Sequence, residues 1–476
     1  MNAHRGYGGA QQQQAGWTLS AALGLASSGE LVALVGGGGK SSLLMALAAA
    51  APGTVLLSTT THLYAAQAAN FAPLQVQLET DSDPIPADFW PELVRQGRGI
   101  VTGPPAGDKV GGVPAHLPAA WLTRPEVDWL LVEADGSRQL PVKAPAAHEP
   151  VIPPETSLLI GVMGIDALAG PIGEVAHRPE LVCQLLGRSP QDWLTPADAA
   201  RLLTHPQGGW QGRPPHTRAV IFINKVETAV EWQLAHQIAH LALQNRELDR
   251  VVIGSLRPDE RRTTSSQPAA ETSGHTSPLE VWRHMTAVIL AAGQGKRMGQ
   301  TKQLLPWGET TVLGQTIANV QAASVQDIVV VTGHDAEKVT AVAQAAGVGT
   351  IYNPAYASGE MLSSLQTAVR ALLGQTAAVL IFLADQPMLG PELIEPVLAA
   401  YRQRERDLIV PVFGGRRGHP TLIAQDYFAE LLALPEEAAP RDLLRRHEAE
   451  IHFVPVSGDA ILRDLDVPAD YARYRR

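Results

Sequence analysis

AVILAAGQGKRMGQTKQLL, residues 287–305, begins as an apolar run and breaks into glycine and positive charge. A buried strand that feeds a glycine-rich turn puts backbone amides at a strand end, where open α/β sheets hold phosphates. The fingerprint of a dinucleotide site is Gly-x-Gly-x-x-Gly. Gly293, Gly295 and Gly299 are spaced one residue too far for it, and the next strand ends in Thr332-Gly333-His334, without an acidic ribose ligand. The turn also carries Lys296 and Arg297, with Lys302 beyond. A triphosphate, more charged than a dinucleotide pyrophosphate, draws such basic side chains. The spacing and the charge together favour a nucleoside triphosphate.

Working outward, short Val/Ile/Leu runs alternate with helical patterns through both halves of the 476-residue chain. They fall at 30–35, 54–58, 128–133, 157–162, 219–224 and 251–255, then at 286–291, 327–333, 378–385, 407–413 and 450–456. Continuous apolar runs separated by helices predict buried, mostly parallel strands, hence an α/β fold. The length predicts more than one domain. RPDERRTTSSQPAAETSGHTSPLE, residues 257–280, is rich in Ser, Thr, Pro and charge and reads as linker. We therefore expect a disordered tail at 1–19, a P-loop-like α/β domain at 20–256, a linker at 257–284 and a Rossmann-like domain at 285–476.

In the second domain, amides from Ala292 to Gly295 are placed to cradle phosphates, with Arg297 and Lys302 neutralising the β- and γ-phosphates. Asp385 follows VLIFLA, so its carboxylate lies at a strand end, where Mg²⁺ finds oxygen ligands. Asp466, or Asp464 two residues earlier, is the candidate second carboxylate. LAAGQGKRMGQTKQLLPWG, NPAYASGEMLSSL, LADQP, GRRGHPTLI and RDLDVPADY occur in that order between residues 290 and 471. This series resembles the MobA-like nucleotidyltransferases, most closely the molybdenum cofactor cytidylyltransferases. The resemblance implies transfer of a nucleoside monophosphate from an NTP to molybdopterin, with release of pyrophosphate. It also implies that Leu290-Ala291-Ala292-Gly293 goes with CTP and that Ser358, Gly359 and His419 line the acceptor side. EEAAPRDLL, residues 436–444, departs from the family's Gly-Asp-x-Gly-Ala-Arg element, with Arg441 the residue that could stand in.

The first domain has its own glycine loop, LVGGGGKSS at residues 34–42, between an apolar strand and the helical run SSLLMALAAA. Gly36, Gly38, Gly39, Lys40 and Ser41 form a phosphate loop two residues shorter than the usual Gly-x₄-Gly-Lys-[Ser/Thr]. Glu133 and Asp135 lie beyond another buried strand as candidate metal carboxylates. Asn224-Lys225-Val226-Glu227 approaches a guanine-reading motif but ends in Glu, so ATP and GTP both stay open. VGGGGKSS, STTTHLY, VEADGSRQLPVKAPAAHEPVIP, GIDALAGPI with HRPE, and INKVE resemble the YqeC family. That resemblance implies an accessory role toward selenium-dependent molybdenum hydroxylases, with a hydroxylase apoenzyme as partner.

A net charge of -10 argues against nucleic-acid and anionic-membrane binding. One cysteine, Cys183, excludes an internal disulfide framework, and a polar N-terminus without a signal pattern points to the cytoplasm. Rival readings are a guanylyl- or sugar-phosphate nucleotidyltransferase, an acyl-phosphate ATPase in the first half, and a cofactor carrier or chaperone for which nucleotide is only a conformational ligand.

Overall fold

The computed structural model describes residues 17–25, 29–80, 84–256, 278–295, 298, 300–325, 327–358, 360–404 and 407–475. The chain divides into two compact units, with the boundary between Trp282 and Arg283.

The first unit is built on a nine-stranded sheet. Its strands lie in the order Glu280–Arg283, Leu248–Ile253, Arg218–Asn224, Leu158–Gly164, Glu30–Gly36, Trp129–Glu133, Val55–Thr59, Arg98–Thr102 and Leu74–Gln77. From Leu248–Ile253 to the Leu74–Gln77 edge every pairing is parallel. Such a sheet needs both faces covered, which is why its central strands are apolar throughout. Leu159 and Ile221 enter one buried cluster, while Val32, Leu34 and Phe222 enter another.

All six expected strands of this half form. Two more were hidden in the sequence: LQVQ alternates with polar residues, and RGIVT has too short an apolar run. Both domain limits also move. Trp17 and Leu19 are buried and Thr18 caps the helix Leu19–Ala22, so the fold begins inside the expected tail. Leu279, Val281 and Trp282 are buried, and Glu280–Arg283 is an edge strand of the first sheet rather than linker. Three apolar side chains within four residues outweigh the polar composition just before them.

The second unit carries an eight-stranded sheet ordered Gly349–Tyr352, Asp327–Thr332, Met285–Leu290, Ala378–Leu383, Thr421–Ala424, Leu408–Phe413 and Arg416–Arg417, with Ile451–Pro455 also pairing Leu408–Phe413. The first four strands run parallel and Thr421–Ala424 is antiparallel to both its neighbours. Register pairs Leu290 with Leu383. The loop after one strand and the carboxylate after the other therefore emerge side by side at the carboxyl edge, as ligand sites in such sheets do.

Candidate functional sites

In the second unit the opening loop is clamped from below. The Ala291 amide donates to Val331 O at 2.9 Å, and the His334 amide donates to Ala292 O at 3.2 Å. Gln303 is buried and its Nε2 donates to Ala291 O at 2.9 Å and Gly293 O at 3.3 Å. Gly295 has φ +58°, and a Cβ there would lie 2.5 Å from Gln300 O, so only glycine fits.

Asp385 is buried beside this loop. Its carbonyl accepts the Leu465 amide at 3.3 Å, which ties the segment 464–466 to it. Lys302 Nζ donates to Asp385 Oδ2 and, at 3.1 Å, to Asp466 Oδ1. Burial opposes the charge of Lys302, but the two carboxylates outweigh it and hold its pKa above the ordinary lysine value. Asp464 turns instead to Gln386 Nε2 at 2.7 Å, and burial, reinforced by Asp385, raises its pKa. These groups line a cavity of about 680 Å³ that also takes in Ala291–Gly295, Tyr356 and Ser358. Leu290 lines it as well.

His419 lies elsewhere. It lines a second cavity of about 510 Å³ with Arg417, Arg441 and Arg445, and this cavity shares only Glu360 and Met361 with the first. Its Nδ1 sits 3.2 Å from Ile381 O, and burial lowers its pKa, which favours the neutral ring with Nδ1 donating. Ser358 and His419, expected to line one acceptor surface, thus belong to different cavities. Arg297 and Gly359 lie outside the described residues. Gln303, Tyr356, Arg417 and Arg445 were not singled out from the sequence. Gln303, Tyr356 and Arg417 did fall within the quoted motif stretches, whereas Arg445 did not.

In the first unit the glycine loop is packed against backbone. A Cβ on Gly36 would meet Val162 O at 2.3 Å, and one on Gly38 would meet Gly164 N at 2.0 Å. The loop's first amides are already paired within the protein: Gly36 N with Asp135 at 3.1 Å, Gly37 N with Val162 O at 2.9 Å and Gly38 N with Leu140 O at 3.0 Å. Gly36 and Gly38 are therefore glycines for close packing, and their amides do not face a ligand as expected. The amides of Lys40, Ser41 and Ser42 open the helix Lys40–Ala50 and have no acceptor among the described residues.

Lys40 is buried, with Nζ 2.6 Å from Gly36 O, 3.3 Å from Asp135 and 3.8 Å from Glu133. Ser41 Oγ donates to Glu133 at 3.1 Å. The ionic chain continues from Asp135 to Lys143 at 3.1 Å, to Glu149 at 2.6 Å and on to Arg178. Burial raises the pKa of Glu133 although Lys40 opposes it, and burial draws Lys143 down to about 8 against the pull of Asp135. Asn224 and Lys225 are turned inward. Asn224 Nδ2 donates to Gly38 O at 2.9 Å, and Lys225 pairs with Asp166 at 2.6 Å. Asn224 therefore latches the loop to its strand, while Lys225 pairs with a carboxylate that is itself partly exposed. Of STTTHLY, Thr59 and Thr60 bond to backbone carbonyls, which is a structural use of their hydroxyls.

Comparison with known proteins follows this division. Residues 287–451 match the MobA-like NTP transferase domain and residues 32–180 match the YqeC protein family. The molybdenum cofactor cytidylyltransferase of Escherichia coli (strain K12) is 30% identical over 186 residues, covering 39% of this chain and 92% of that enzyme. The chain belongs to the MobA-like nucleotidyltransferases and carries, ahead of that domain, a region similar to the YqeC family. The E. coli protein YqeC is 35% identical over 149 residues, and the fusion spans 58% of its length. Among solved structures, Rv0371c of Mycobacterium tuberculosis H37Rv shares 26% identity with a TM-score of 0.36, over 40% of the fusion and 96% of that chain. Among the described residues of the fusion no helix is long and apolar enough to cross a membrane. No three His, Cys, Asp or Glu side chains among them form a ready metal-ligand set.

Proposed function

We propose that the second unit transfers CMP from CTP to the terminal phosphate of molybdopterin and releases pyrophosphate. The convergence of Asp385 and Asp466 on one cationic centre, Lys302 Nζ, beside a glycine loop carries this reading. An acceptor phosphate oxygen attacks the α-phosphorus, the α–β P–O bond breaks, and the bond's electrons leave on pyrophosphate. The acceptor phosphate is ionised near neutral pH, so no general base is needed and catalysis rests on positioning and charge. Two carboxylates facing one cation also suit Mg²⁺, which takes one or two carboxylates and completes its shell with substrate phosphates and water. Asp385 and Asp466 would hold it, and it would neutralise charge developing on the phosphates. With the carboxylates so engaged, Lys302, which lines the same cavity, would be available to the phosphates. The second cavity, with Arg417, Arg441 and Arg445, suits the anionic acceptor.

For the first unit we propose binding of a purine nucleotide through its phosphates, at the Lys40–Ser42 amides and Lys40, with Ser41, Glu133 and Asp135 toward a divalent ion. Its role is in loading or delivering cofactor to a molybdenum hydroxylase, with selenium chemistry as the context. The test is pyrophosphate release by the whole protein with CTP, GTP, ATP or UTP, with and without molybdopterin. Release that needs both CTP and molybdopterin is expected. Release with sugar phosphates alone would refute the assignment.

A further inference from the structure

Tyr356 lines the larger cavity and has a ring neighbour in each of two other segments. Its ring centroid lies 6.4 Å from that of Tyr352 and 6.3 Å from that of His334. The neighbouring rings are tilted 58° and 44° to it, so neither covers a face of Tyr356 by parallel stacking. Tyr352 is 54% exposed, a large ring left in water in a chain with only 5% aromatic residues. Gly333 makes room for Tyr356: a Cβ there would lie 2.5 Å from Tyr356 Cβ and 2.8 Å from Ala292 Cβ. Gly333 is thus flanked by Tyr356 and by Ala292, the loop residue whose carbonyl is held by the His334 amide.

We infer that Tyr356 is the stacking surface for the base of the nucleotide substrate, with the tilted rings of Tyr352 and His334 beside it. Gly293–Gly295, Lys302 and Asp385, the groups proposed to hold the phosphates, line the same cavity as Tyr356, so a nucleotide bound there has this ring within its own pocket. The heteroaromatic acceptor is the other planar candidate, but the cavity assigned to it contains His419 and no part of Tyr356. Stacking uses a π-face that every base has, so Tyr356 sets affinity for the nucleotide and leaves the choice among bases to hydrogen-bonding groups. The inference rests on the nucleotidyltransferase reading, not on CTP being the nucleotide.

The experiment is steady-state kinetics of Y356A, Y356L and Y356F in the whole protein, varying NTP and acceptor separately, with whichever NTP the wild type turns over. Y356A and Y356L should raise KM for the NTP roughly ten-fold, with a smaller change in kcat and none in acceptor KM, while Y356F returns to wild type. Y356L keeps an apolar wall, so it guards against loss of packing, and a thermal melt of each variant reports folding. An unmoved NTP KM in a folded Y356L, or a rise confined to acceptor KM, overturns the proposal. A CTP preference that fails while the Y356L effect persists with another NTP would remove the cytidylyl reading and leave this one standing.

Discussion

Asp385 holds two things at once: the ammonium of Lys302 through its side chain and the Leu465 amide through its carbonyl. D385N keeps the shape and the backbone bond but removes the charge. We expect kcat to fall on the order of 10²–10³-fold with the fold intact, checked by turnover beside a thermal melt. D466N should cost less, because Asp466 is half exposed and Lys302 keeps Asp385. Gln303 acts at one remove. Q303L leaves the Ala291 and Gly293 carbonyls without their buried donor, so stability should drop by about 1–3 kcal/mol and KM for the NTP should rise more than kcat falls. Unchanged KM in a folded Q303L would mean that the loop holds its shape without the clamp.

At the scale of elements, the strand Leu408–Phe413 starts beside a buried carboxylate. Both side-chain oxygens of Asp407 lack a hydrogen-bond partner among the described residues, and burial pushes its pKa up to about 7 against the pull of Arg404 and Arg283. The native state then keeps a proton that the unfolded chain loses near pH 4, so stability falls as pH rises from about 4 to about 7. D407N removes that loss. Its melting temperature should exceed that of wild type by more at about pH 8 than at about pH 5, and an equal difference at both would contradict the assignment. The sequence made the strands legible wherever four or more apolar residues ran together. It hid Leu74–Gln77, Arg98–Thr102, Glu280–Arg283, Gly349–Tyr352 and Thr421–Ala424, where edge position or short length lets polar residues in. In the sites, charge at strand ends was legible, since Asp385 and Glu133 follow apolar runs and Lys302 and Lys40 belong to the glycine loops that follow others. What a side chain does there was not. Asn224 resembles a base reader until its donor is found on Gly38 O, and the Gly36 and Gly38 amides look available until Asp135 and Leu140 are seen to hold them. Those outcomes depend on contacts 99 to 186 residues apart along the chain for the side chains concerned.

For the whole molecule, the division at Trp282–Arg283 sets how the fusion can be separated. A fragment ending at residue 256 loses Leu279, Val281 and Trp282 from the first sheet, all buried, whereas one ending at 284 keeps them. The shorter fragment should be less stable by several kcal/mol, at roughly 1.5–3 kcal/mol per large apolar side chain, which denaturant titration of the two would show. The carrier reading also belongs to this scale, since it makes nucleotide a ligand rather than a substrate. It requires D385A to support hydroxylase maturation in cells as well as wild type does, and our account expects maturation to stop. The most direct measurement is mass spectrometry of the pterin after the whole protein has met CTP, Mg²⁺ and molybdopterin. We predict a product heavier by one CMP unit, formed with one equivalent of pyrophosphate and absent with D385A. A pterin of unchanged mass while CTP is bound or cleaved would contradict the account.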